Sequence, residues 1–169
     1  AFIKTARILM HRRQITFKMK EEGHISRPVT LTLPTEWTDD AIDFIVGDAQ
    51  ALPFSGGSIS SIASLNLVDK IPKPLLHLEE VNRISRSSVS QFLFSDPFSW
   101  SEENAREEDW LGGKSDGPGA GRGIDTVFSL LETFAPPWRI EDRGRIWWKI
   151  RTHANHFELI RSCYLKAER

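Results

Sequence analysis

The chain has 169 residues, the length of one ordinary domain. With 40% hydrophobic and 27% charged residues it sits close to globular averages, so a packed core is expected. A formal net charge of −1 leaves no broad basic field for gripping a nucleic-acid backbone, so no nucleic-acid partner is favoured. The lone cysteine, Cys163, has no second thiol in the chain to pair with, which fits a reducing compartment. No apolar run reaches the ~18 residues of a membrane span, and no signal-peptide pattern opens the sequence. The expectation is a cytoplasmic protein without membrane contact. The chain begins at Ala1, already inside a helical pattern, which reads as a fragment of something longer.

Phe2, Ile3, Ala6, Leu9 and Met10 recur at helical spacing, so Ala1 to about Arg13 is predicted as an amphipathic helix. Its Lys4, Arg7, Arg12 and Arg13 make a basic side, expected to be solvated. "ITFKMKEEG" (Ile15 to Gly23) and "PVTLTLP" (Pro28 to Pro34) both alternate apolar and polar residues, which predicts a hairpin. "DFIVGD" (Asp43 to Asp48) is a short unbroken apolar run and predicts a buried strand. "SISSIASLNL" predicts a second strand through Ile59, Ile62 and Leu65.

From Pro72 the period changes, and Leu75, Leu76, Leu78, Val81 and Ile84 predict a helix to about Arg86. "VSQFLFSDP" (Val89 to Pro97) predicts a further strand. Strand, helix, strand is a crossover unit and argues for parallel pairing. A long polar, glycine-rich stretch follows and predicts a flexible loop or lid. Ile124 to Phe134 returns to helical spacing, and the tail offers β-rich runs with turns near Arg143-Gly144 and Ala154-Asn155. A single domain is expected throughout: 1–42 a helix plus hairpin, 43–97 the α/β core, 98–123 the loop, 124–169 a helix and antiparallel β tail.

In open α/β sheets, ligands bind at the carboxyl ends of the strands. Asp48 stands at such an end. Its carboxylate can accept from an exocyclic amine while the Ala49 N–H donates to a ring nitrogen, which together read an adenine edge. Leu52 and Phe54 would wall the ring, and Ser64, Leu65 and Asn66 close the neighbouring strand. The plainer alternative is that Asp48 caps the following turn and Leu52-Pro53-Phe54 plugs the core.

"FIVGDAQALPFSGGSISSIASLNLVDKIPKPLLHLEEVNRI" followed by "SRSSVSQFLFSDPFSW" resembles the second half of a class I S-adenosylmethionine-dependent methyltransferase of the small-molecule, type 11-like group. A Gly-Asp-Ala step, then Leu-Pro-Phe, a strand and a helix carrying Leu78-x-Glu80-x-x-Arg83 are the marks that carry the likeness. The resemblance implies a Rossmann-like, mostly parallel sheet with helices on both faces and an antiparallel β tail, truncated at the amino end. It implies S-adenosylmethionine as cofactor, with Asp48 and Ala49 on the adenine edge and Ser64, Leu65 and Asn66 near its methionine part. Glu80 and Arg83 would tie the helix to the sheet. The acceptor would be a small molecule.

The sequence departs from that pattern before Asp43. Neither an acid followed by Gly-x-Gly-x-Gly nor a second strand ending in a ribose-binding acid is present. The glycine run Asp116 to Gly123 follows no strand and does not replace them, and "GGKSDG" is no phosphate loop because Glu108 stands where the first glycine belongs. A chain without those parts would bind the cofactor weakly or not at all, and its open sheet edges would invite pairing with a second copy.

Three residues are candidate general bases: Asp69, His153 and His156. For Asp69 the alternative is a helix-start cap. His153 and His156 flank a predicted turn, and with Cys163 they make no convincing metal set, so no metal is expected. Trp100, Trp110, Trp138, Trp147 and Trp148 read as core bulk rather than an acceptor stack. Two other functions fit less of the sequence: a non-catalytic Rossmann-like module that binds no cofactor, and a nicotinamide-dependent oxidoreductase, for which Leu-Pro-Phe is no mark.

Overall fold

The computed structural model describes residues 2–38, 40–117 and 119–169. Ala1, where the predicted first helix begins, and Pro118, in the glycine-rich loop, lie outside the described residues. The chain forms two compact units, Ala1–Val46 with Lys149–Leu159, and Gly47–Trp148 with Ile160–Arg169.

In the first unit, α1 (Phe2–Arg12) leads into an antiparallel hairpin of β1 (Gln14–Glu22) and β2 (Ile25–Thr32). The alternation seen in sequence sets the register, with Phe17 opposite Val29, and Thr16 and Thr30 share a hydroxyl hydrogen bond of 2.8 Å. Gly23, at a φ of 51°, makes the reversal. Pro28 lies inside β2, which a two-stranded ribbon tolerates because one side of each strand is free. α1 buries no residue completely. Ala154 N–H donates to Lys20 O at 2.8 Å, which ties residues 149–159 to β1.

The second unit holds β3 (Ser61–Leu65), α2 (Pro74–Ile84), β4 (Gln91–Asp96) and α3 (Gly123–Thr133). β5 (Arg139–His153) and β6 (His156–Glu168) complete the four-stranded sheet, in the order β3-β4-β6-β5. β3 and β4 are parallel and joined through α2, the crossover that the strand-helix-strand pattern predicts, and β4 and β6 are antiparallel. Pro74 occupies the first turn of α2, where its missing N–H costs no hydrogen bond. Leu78, Val81 and Ile84 then fall on one stripe.

The core lies against one face of this sheet. Phe92 and Phe94 of β4 point into it beside Ala167 and Leu165 of β6, their register partners. Leu78 and Val81 of α2, Val127 and Leu131 of α3, and Trp138 complete it. Leu93, one residue out of phase, is exposed, as a period of two requires.

Two predicted elements differ. Asp43 to Asp48 forms no strand, and Ile45 and Val46 are exposed. An apolar run becomes a strand only when it pairs, and among the described residues this run pairs with none: β3 is bonded to β4 alone. No turn occurs at Arg143-Gly144 either: β5 runs through it, and the strands reverse only at Ala154-Asn155. Gly144 serves packing instead, since a Cβ there would lie 2.9 Å from the Tyr164 ring. Of the tryptophans, Trp138 is core, but Trp147 is exposed beneath the Arg161 guanidinium, 5.3 Å from its ring centre.

The glycine-rich segment is anchored on aromatic rings. Trp100 and Trp110 stack at 5.9 Å, and Trp110 Nε1 donates to Ala105 O at 3.0 Å. Gly113, at a φ of 85°, lies so close to Trp100 that a Cβ would fall 2.7 Å from its ring.

Candidate functional site

The segment from Asp48 to Phe54 is held by one face of α2. Gln50 Oε1 accepts from the Lys73 N–H at 2.8 Å, just before the helix. Ala49 O meets His77 Nδ1 at 2.9 Å. Glu80 Oε2 accepts from Leu52 N–H at 2.7 Å. Arg83 donates to Phe54 O at 2.9 Å and to Leu52 O at 3.0 Å. Positions 73, 77, 80 and 83 follow the helical repeat, so four side-chain or backbone contacts align along one stripe. Glu80 and Arg83 pair with each other as well, and the Arg83 hydrogen bond is the main reason the Glu80 carboxyl titrates below its ordinary range. Both are structural residues. Their backbone partners, however, lie in the loop after Asp48 rather than in the sheet.

His77 links that loop to β3. Its Nε2 lies 2.8 Å from Ser64 Oγ, and both side chains are buried. A carbonyl oxygen only accepts, so Nδ1 carries the hydrogen toward Ala49 O and Nε2 accepts from the Ser64 hydroxyl. Burial pushes the His77 pKa down, which keeps the imidazole neutral in that role. In sequence the one signal for His77 is a polar residue on the buried stripe of α2, four positions after Lys73.

Asp48 is exposed. Its Oδ1 accepts from the Gln50 N–H at 2.9 Å and faces Gln50 Nε2 at 3.3 Å, so it caps the turn. Its Oδ2 and the Ala49 N–H have no partner among the described residues. Leu65 is exposed on the opposite face of β3 from Ser64. Asn66 takes up a φ of 54° at the strand end, and its Oδ1 accepts from Ser162 Oγ at 2.7 Å, bridging β3 to β6. Ala49 and Ser64 are therefore brought together through His77, while the Asn66 side chain is turned to Ser162 of β6.

Asp69 is fully buried. Its Oδ2 accepts from the Ser99 N–H at 2.9 Å and pairs with Lys70 Nζ at 3.1 Å, so it ties the loop after β3 to the loop after β4 rather than capping a helix. Its Oδ1 is buried without a partner among the described residues. Asp96, also fully buried, accepts from Val68 N–H at 3.0 Å and Phe98 N–H at 2.7 Å. Burial first, and the negative charge of Asp69 second, push its pKa up to about 7. His153 and His156 belong to the other unit, with rings 5.4 Å apart at the β5–β6 turn and Thr152 Oγ1 at 2.5 Å from His156 Nδ1.

A SAM-dependent methyltransferase from Methanosarcina mazei matches the chain with a TM-score of 0.52 at 14% identity, over 79% of this chain and 70% of that one. The chain has the class I S-adenosylmethionine-dependent methyltransferase fold. A SAM dependent methyltransferase from Aquifex aeolicus also aligns, at 15% identity and a TM-score of 0.40, over 75% of this chain and 55% of that one. No protein-family model matches the sequence, and no curated protein matches it. Of the candidate residues only Ser64, Leu65 and Asn66 stand at a strand end, that of β3; Asp48 and Ala49 lie in a loop that α2 holds, and β6 and β5 are the antiparallel finish.

Proposed function

We propose that the chain serves a methyltransferase acting on a small molecule, with the Asp48-Ala49 step reading the adenine edge of S-adenosylmethionine. One observation carries this: a carboxylate oxygen and a backbone N–H on adjacent residues, both without a partner among the described residues, in a loop that α2 fastens through four contact positions. That pairing fits a purine edge, which offers one donor and one acceptor side by side. Half-buried Leu52 beside it suits a flat ring. Before Asp43 the sequence has no counterpart of the family's glycine loop or ribose acid, so the proposed contacts are Asp48 and Ala49 on the purine, with Ser64, Leu65 and Asn66 toward the methionine part.

When bound, the cofactor supplies a sulfonium methyl open to in-line attack by an oxygen, nitrogen or carbon. The chain's contribution would be alignment. His77 holds the Ala49 peptide against β3 and Asn66 locks the β3 tip to β6, a fixed frame on which donor and acceptor would be aligned. Of the candidate bases, Asp69 is sealed from any acceptor, and His153 and His156 sit in the other unit; none is assigned that role. The single cysteine keeps the cytoplasm as the proposed compartment. Self-association through the open edge of β3 belongs to the same proposal, and light scattering that returns a monomer at every concentration refutes it.

A non-catalytic module is the second reading, favoured by the turn-capping bonds of Asp48 and by the absence of a strand leading into it. Calorimetry with S-adenosylhomocysteine separates the two. Saturable binding that Asp48→Ala weakens by ~1–3 kcal/mol supports the adenine contact. Undiminished binding in Asp48→Ala removes the adenine contact at Asp48, and no binding at all to this chain and to one extended at its amino end supports the module.

A further inference from the structure

A cavity of about 590 Å³ opens in the second unit where β4 ends and α3 begins. That volume suits a small organic ligand. One side presents the Phe98 and Trp100 rings, 6.0 Å apart, and the other Tyr164, whose ring lies over Gly144 because that residue has no Cβ. Flat apolar walls of this kind favour an aromatic ligand.

The charge around the cavity is uneven. Arg122, Arg143 and Arg145 line it against a single carboxylate, Asp125. Arg143 rests over the Phe128 ring at 5.3 Å. The Arg122 and Arg145 guanidinium groups are exposed and have no ion-pair or hydrogen-bond partner among the described residues. Elsewhere in the unit, arginines 83, 139 and 169 are engaged by carboxylates or carbonyls, so two unengaged guanidinium groups at one cavity stand out. The Trp100 Nε1–H, buried in the same wall, also lacks an acceptor among the described residues. A buried donor without a partner is costly, and a ligand oxygen or a water can satisfy it.

We infer that this cavity binds an aromatic carboxylate, its ring between Phe98, Trp100 and Tyr164 and its anion held by Arg122 and Arg145. A guanidinium matches a carboxylate with two parallel hydrogen bonds, which a neutral amide cannot reproduce. As the seat of a methyl acceptor the site rests on the proposal above; as a binding site it does not, because none of its residues belongs to the Asp48 loop.

The test uses the whole chain without cofactor and two probes of equal shape, 2-naphthoate and 2-naphthamide. The site predicts saturable binding of the naphthoate at least tenfold tighter than the amide, with the Trp100 indole N–H resonance shifting on titration. Arg122→Gln with Arg145→Gln removes the preference for the anion and leaves the amide affinity unchanged. Added salt does the same in the unaltered chain, so a poorly folding variant does not decide the matter. Equal affinity for both probes, no saturable binding, or a preference that survives both the double substitution and high salt overturns the site. A titration with S-adenosylhomocysteine is run in parallel. Naphthoate selectivity without cofactor binding keeps the cavity and removes methyl transfer; cofactor binding without selectivity removes the cavity alone.

Discussion

Ser64 of β3 donates to His77 Nε2 across 2.8 Å, and the other ring nitrogen of His77 holds Ala49 O at 2.9 Å. A buried imidazole thus fixes the loop that carries Asp48 to the strand beside it. Neutrality is a condition of the arrangement, because a protonated Nε2 could not accept from Ser64.

Removing the ring leaves a buried Ser64 hydroxyl and an Ala49 carbonyl short of partners. His77→Ala is expected to cost ~2–4 kcal/mol, from lost packing and an unsatisfied hydroxyl. Urea unfolding measures it. The pH dependence adds a second check. His77 titrates lower folded than unfolded, so its contribution is present above the unfolded value of ~6.5 and is lost as pH falls through the lowered one. His77→Gln should flatten stability on that acid side.

Asp96 works in the opposite direction. Its pKa is pushed up to about 7, so the folded state holds a proton that the unfolded chain has released. The contribution is complete below ~3.9 and is lost as pH rises through about 7. The slope approaches ~1.4 kcal/mol per pH unit at most. Asp96→Asn should remove it, and Asp69→Asn should lower the Asp96 pKa by removing the neighbouring charge. Carbonyl-carbon NMR titration of Asp96 reads both.

Arg169 closes the core at its far end. Its guanidinium lies 4.2 Å from the centre of the Trp138 ring and donates to Asn82 Oδ1 and Pro136 O, each at 2.8 Å, and to Asn82 O at 3.0 Å. A lysine cannot reproduce a planar fork stacked on an indole. Arg169→Lys is expected to lower the thermal midpoint nearly as far as Arg169→Ala, by ~2 kcal/mol or more in stability, measured by calorimetry.

Gly123 begins α3 against Phe98, where a Cβ would fall 2.3 Å from the ring. Gly123→Ala is therefore expected to destabilise by ~1–3 kcal/mol even though alanine favours helices. Shortening the ring in the double variant Gly123→Ala with Phe98→Leu should recover part of that loss. Thermal melts of the single and double variants give the coupling.

Periodicity made much of the fold legible. The stripe Leu78, Val81, Ile84 and the alternation Phe92, Phe94 report a helix face and a strand face, since both follow from backbone geometry within one element. The likeness to methyltransferases also rests on local order, Leu52-Pro53-Phe54 and then Glu80 and Arg83, and those residues do meet. The apolar residues Phe44, Ile45 and Val46 carried the same local signal as a strand, yet they form none, because pairing is decided by a neighbour that no local pattern describes. The role of His77 was equally hidden. An imidazole reads alike in sequence whether it faces solvent or joins a carbonyl to a hydroxyl twenty-eight and thirteen residues away. Local chemistry sets what each segment is able to form; only the packed chain decides which distant groups must share a hydrogen bond, because that choice depends on which of them lose water together.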